Sequence, residues 1–142
     1  MINTPGIKTD IEPAVRDWLN QEFDDTTFAQ RQVRFTAGGS CVFDAVSQDG
    51  RIVAAIIFDR ANAGTKKETS GGLKKAFTVL EQLKNVGRDT IRIVVFTDLD
   101  LLNLVQRRVS RLGVGGIKLL ACPLPPDKKN LLDQIMDAAN NE

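Results

Sequence analysis

Asp44 lies inside an alternating run, Cys41–Ser47, and a second carboxylate, Asp59, closes the apolar run that follows it. Lys66, Lys67, Lys74 and Lys75 come next. Carboxylates that folding brings together can hold a divalent cation, which polarises a phosphate and lowers the pKa of a bound water. Further on, Thr69-Ser70-Gly71-Gly72-Leu73-Lys74-Lys75 places hydroxyls and glycines before a helix start, where exposed N–H groups can hold a phosphate. Ser70, Gly71, Gly72, Lys74 and Lys75 would carry that contact, and an ordinary loop with an N-cap is the alternative. Arg107, Arg108 and Arg111 share one face of a helical segment and could track a nucleic-acid backbone. They could equally be a solvated face favoured by the helix dipole. Asp98 and Asp100 flank the end of a strand, a place where α/β proteins site ligands, although capping accounts for them as well.

Other chemistries are excluded by composition. The 142 residues contain no histidine, which removes the Ser-His and Cys-His nucleophile pairs and the commonest zinc ligand. Two cysteines make neither a disulfide framework nor, without histidine, a structural zinc site. A net charge of +1 excludes attachment to nucleic acid by bulk charge. The charge is unevenly spread: residues 1–50 sum to −4 and residues 51–90 to +4. Such a division can make a dipolar surface that steers an anionic partner, if it survives folding. No signal peptide or membrane span is visible, so a cytoplasmic protein without a membrane partner is expected. Cys41 and Cys122 border apolar runs and read as buried thiols.

The elements that must position these residues follow from periodicity. Ile11, Val15, Trp18, Leu19 and Phe23 mark an amphipathic helix over Asp10–Phe23, with Asp10 as its cap and Pro13 in the first turn. Strands are expected over Gln32–Thr36, Cys41–Ser47 and Arg51–Phe58, with turns at Gly38-Gly39 and at Asp49-Gly50. The third is apolar on both faces, as a strand covered on both sides must be. Ala61–Gly72 reads as a polar loop and Leu73–Val86 as a helix with Gly87 at its C′ position. Ile91–Phe96, a helix capped by Thr97 or Asp98, and the strand Ile117–Cys122 form a βαβ unit whose strands should be parallel. A helix over Asp127–Ala139 ends the chain. The order α-β-β-β-α-β-α-β-α implies a single α/β domain over residues 1–142, with three αβα layers round a mixed sheet.

The run from Cys41 to Val53, with Phe43-Asp44, Ser47 and Asp49-Gly50, resembles the core hairpin of the PD-(D/E)xK nuclease superfamily. The resemblance implies a restriction-endonuclease-like fold over roughly residues 32–123. In an active member, an aspartate on one strand and an acid on the next hold Mg²⁺, and a lysine two residues after that acid assists. Asp44 matches the first aspartate, and Phe43 stands where the motif has proline. Counted from the Asp49-Gly50 turn, the acid position falls on Ala55 and the lysine position on Ile57, and neither side chain can ligate a cation or orient water.

The expectation is therefore a nuclease-like domain without catalysis, acting as a DNA-associated or protein-interaction module whose partner is DNA, another protein or a second copy in a homodimer, with no cofactor. One alternative is an active Mg²⁺-dependent endonuclease that uses Asp44 with displaced partners Asp59 and Lys66. Asp59 lies ~13 Å along the strand from position 55, at ~3.3 Å per residue. Another is a structural subunit that binds neither DNA nor metal. For Asp44 itself, hydrogen bonding to backbone N–H groups is the purely architectural role.

Overall fold

Six consecutive apolar residues with no polar face need cover on both sides, and the strand Ile52–Ile57 is buried along its whole length. It is the third strand of the computed structural model, which describes residues 10–24, 26–60, 70–87, 89–112 and 116–140. The elements run α1 (Glu12–Glu22), β1 (Phe28–Arg34), β2 (Ser40–Ser47), β3 (Ile52–Ile57), α2 (Ser70–Lys84), β4 (Ile91–Phe96), α3 (Leu99–Leu112), β5 (Ile117–Ala121) and α4 (Pro126–Asn140). The result is an α/β protein with four helices and one mixed five-stranded sheet in the order β1-β2-β3-β4-β5. β1, β2 and β3 pair antiparallel, whereas β3, β4 and β5 are parallel.

The sheet has a core on each face, because alternate side chains of a strand point opposite ways. On one face Ile11, Val15 and Leu19 of α1 and Leu132 of α4 pack on Ala54, Ile56, Ile93 and Val95. On the other, Ala76, Leu80 and Leu83 of α2 and Leu101, Val105 and Val109 of α3 pack on Val53, Ala55, Ile57, Val94 and Phe96. The two crossovers β3-α2-β4 and β4-α3-β5 leave α2 and α3 side by side, as two connections of one hand require.

Several boundaries differ from the expected ones for identifiable reasons. β1 begins at Phe28 rather than Gln32, because the long β2 strand carries its pairing back until Phe28 meets Ser47. The turn that joins them places Gly38 and Gly39 at φ 103° and 87°, a region that side chains disfavour. Asp10 does not cap α1; Ile11 holds that position without a side-chain bond. Gly87 does not adopt the left-handed conformation of a C′ glycine. Asn85 Nδ2 and Arg92 instead reach the last carbonyls of α2, at Glu81 (3.0 Å) and Leu83 (3.3 Å). α2 starts three residues early, at Ser70, where the buried Gly72 lets the first turn approach the end of β3. Cys122 is buried as expected, but Cys41 is half-exposed, since β2 projects past the cover of the helices there. The side chains of Met136 and Ala139 lie outside the described residues.

Candidate functional site

The β2–β3 ladder aligns Ala45 with Ala54 and Val46 with Val53, and no further. Beyond Ala45 the strands separate, and β2 carries a bulge there. The β1 register passes from Ala29↔Val46 to Arg31↔Phe43, so Asp44 and Ala45 together face Gln30. A bulge re-aims a side chain and ends regular pairing. Here it turns Asp44 toward β3, and its Oδ2 accepts the backbone N–H of Ile56 at 2.9 Å. The carboxylate thus stands where a carbonyl of a continuing ladder would stand. Arg16 of α1 donates its Nε to the Asp44 carbonyl at 3.0 Å, and its guanidinium lies 3.7 Å from the buried Glu12. The Asp44 charge, after burial, raises the pKa of the neighbouring Cys41 thiol.

Ala55 and Ile57 are both buried against α2 and α3. The two positions that the nuclease resemblance assigns to an acid and a lysine are therefore core positions. Asp59 lies at the far end of β3 and is committed elsewhere: Lys75 Nζ is 3.6 Å from its carboxylate. A Cβ added to Gly72 would come within 3.0 Å of Asp59 Cβ and 3.2 Å of Leu101. The start of α2 thus meets a carboxylate, the charge that a helix N-terminus favours. Lys66 lies outside the described residues, as do the side chains of Ser70, Gly71 and Arg111. Among the described residues, no three Asp, Glu or Cys side chains gather as cation ligands would.

The basic residues are brought together more widely. Lys74, Lys75 and Lys84 of α2 and Arg107 and Arg108 of α3 are exposed on neighbouring helices of one layer. With Arg111, and against Glu81 and Asp100, the sequences of those two helices carry net +4. The α1 and α4 sequences carry net −3, from Glu12, Asp17, Glu22, Asp127, Asp133 and Asp137 against Arg16, Lys128 and Lys129. The sheet therefore lies between helices whose sequences are net basic and helices whose sequences are net acidic.

A cleft of about 560 Å³ opens at the carboxyl ends of the parallel strands, between Thr97–Asp100, Ala121–Leu124 and Lys129–Asp133, with Phe58 and Arg60 at one side. Here the connection after β4 leaves for one face of the sheet and the connection after β5 for the other, the arrangement that opens a crevice in α/β sheets. Asp98 is used at its edge as a cap, accepting the Leu101 N–H at 3.0 Å. Arg60 forms a 2.7 Å ion pair with Asp137.

Sequence reasoning passed over Arg16 and Glu12. Their i, i+4 spacing was the available signal, but it marks solvated pairs as often as buried ones. Compared with protein-family models, curated proteins and solved structures, the chain matches none.

Proposed function

We propose that this chain is a nuclease-like domain without catalysis that associates with DNA through the α2/α3 layer. The observation that carries the reading is the position of Asp44. Its carboxylate is bonded to the Ile56 N–H, while the side chains two strand positions apart at Ala55 and Ile57 are buried in the core. A hydrolytic site of the kind the hairpin resembles needs those groups to face a cation and a phosphate together. An antiparallel hairpin set that leads into a parallel βαβ unit also supports the resemblance.

The basic layer supplies the binding half of the proposal. Exposed Lys and Arg side chains on adjacent helices neutralise phosphates and release counterions, which makes affinity depend steeply on salt. The acidic layer opposite, repelled by the same phosphates, favours one orientation on the duplex.

Binding of duplex DNA measured across a salt series tests this. A slope of log affinity on log salt near −0.9 for each phosphate contacted is expected, with no cleavage in Mg²⁺ or Mn²⁺. Cleavage abolished by Asp44→Ala would favour the active enzyme with Asp59 and Lys66. Absence of binding at low salt would favour the structural subunit.

A further inference from the structure

The cleft at the carboxyl ends of β4 and β5 takes none of its lining from Asp44 or from the basic residues of α2 and α3. Its walls come from both faces of the sheet. The chain leaves β4 for α3 on one face and β5 for α4 on the other, so the cleft opens where neighbouring connections diverge. Open α/β sheets hold small ligands at such a point. The volume of about 560 Å³ lies within the ~300–1,000 Å³ of small-molecule sites.

The floor is apolar. Phe58, Cys122 and Leu132, at the end of the core beneath α1 and α4, are each less than a tenth exposed. Leu99 stands at the lip, in the first turn of α3, and is 59% exposed. The hydrocarbon part of a bound molecule would therefore meet side chains of its own kind both below and at the lip, and lose water from both.

Charge decides what else that molecule carries. Arg60, Asp98, Asp100, Lys129 and Asp133 line the cleft. Two of them are engaged, Arg60 in its 2.7 Å pair with Asp137 and Asp98 as acceptor of the Leu101 N–H. There remain Asp100 on the α3 wall, and Lys129 and Asp133 one turn apart on the α4 wall. Among the described residues none of these three forms an ion pair, and together they carry net −1. An anion gains little here, because the helix starts that would attract it already carry carboxylates, Asp98 and Asp100 at α3 and Asp127 at α4. A cation is attracted, and more strongly over low-dielectric walls than on an open surface.

We propose that this cleft binds a small organic ammonium ion with an apolar body. Asp100 and Asp133 draw the cationic group, while the hydrocarbon lies over Phe58, Cys122 and Leu132 beside Leu99.

The site is independent of the DNA proposal, and the full chain tests it without DNA. Three probes of one shape and different charge are 2-phenylethylamine, 2-phenylethanol and phenylacetate. Backbone amide NMR titrations should show the amine shifting residues of the cleft, with Kd of order ~1 mM, ordinary for so few atoms. The alcohol should bind at least ~3-fold more weakly, and the acid more weakly still. Asp100→Asn combined with Asp133→Asn should weaken the amine at least ~3-fold and leave the alcohol unchanged. Leu99→Ala should weaken both. Asp89→Asn, at an exposed carboxylate outside the cleft, should change neither. Amide shifts outside the cleft, or none at about 10 mM amine, would overturn the proposal. So would an acid that binds as well as the amine, or an amine as indifferent to the paired Asp100 and Asp133 changes as to Asp89→Asn.

Discussion

The Asp44 carboxylate accepts the backbone N–H of Ile56 at 2.9 Å, across the point where β2 and β3 part. An acidic side chain thereby replaces a backbone acceptor in the middle of the sheet. Because the acceptor is charged, this bond is worth more than a neutral one, about 1.5–3 kcal/mol. Asp44→Ala should lower stability by roughly that amount, and Asp44→Asn by less, since an amide oxygen can still accept. Urea unfolding of the three proteins measures it. Equal stability of Asp44→Ala and the parent would remove the architectural role.

The β2–β3 turn is held by a relay. The Ile52 N–H donates to Ser47 Oγ at 2.9 Å, and Ser47 Oγ donates to Asp49 Oδ1 at 2.7 Å. The Ser47 hydroxyl and the Arg51 N–H hold the Asp49 carboxyl below the usual carboxylate range. A depressed folded pKa stabilises the fold above the unfolded value near ~3.9 and loses that contribution as pH falls through the folded value. Asp49→Ala should therefore lower Tm at pH 7 and have a progressively smaller effect toward pH 2–3, of order the acid range itself. A Tm difference that persists undiminished in acid would contradict the relay.

Cys122 is buried, and burial followed by the Glu22 charge pushes its thiol up to about 11. Thiolate is the reactive form, so at pH 8 roughly one molecule in a thousand carries it. Cys41, half-exposed and raised first by burial and then by Asp44, should be labelled first by a thiol reagent. Mass spectrometry of the native protein should find the label on Cys41, with Cys122 modified only in denaturant.

Gly72 faces Asp59 and Leu101, so that a side chain added there would meet both. Gly72→Ala gains about 1 kcal/mol of helix propensity but forces a methyl into a contact of 3.0 Å. Overpacking of that kind costs about 1–3 kcal/mol, so a net loss of stability is expected. A raised Tm would show that the end of β3 yields to the added carbon.

Lys74, Lys84, Arg107 and Arg108 are exposed on the basic layer. Replacing all four with Ala should flatten the salt slope of DNA binding by up to ~0.9 for each lost phosphate contact. The same four changes should cost no more than about 0.5 kcal/mol each, about 2 kcal/mol together, so the variant should remain folded. An unchanged slope would place the nucleic-acid contact elsewhere or nowhere.

Much of the fold was legible in the chain. The apolar run at 52–57 required a covered strand, and the spacing of Leu101, Val105 and Val109 required a helix against it. The start of β1 was less legible, since strand limits depend on a partner's length rather than on local alternation. Of the candidate site, the core character of positions 55 and 57 followed from their side chains. The partner of Asp44 did not, because a bulge depends on the register of two strands at once.

The sequence by itself determined the excluded chemistries, the apolar strand at the centre and the signs of charge carried by each helix, because these depend on residue type and short-range period. Only the tertiary structure decided that Asp44 meets Ile56, that Lys75 meets Asp59 and that like-charged helices share a layer. The first depends on a bulge within a hairpin, and the other two on the strand connections that carry α2 back across the end of β3 and lay α3 beside it.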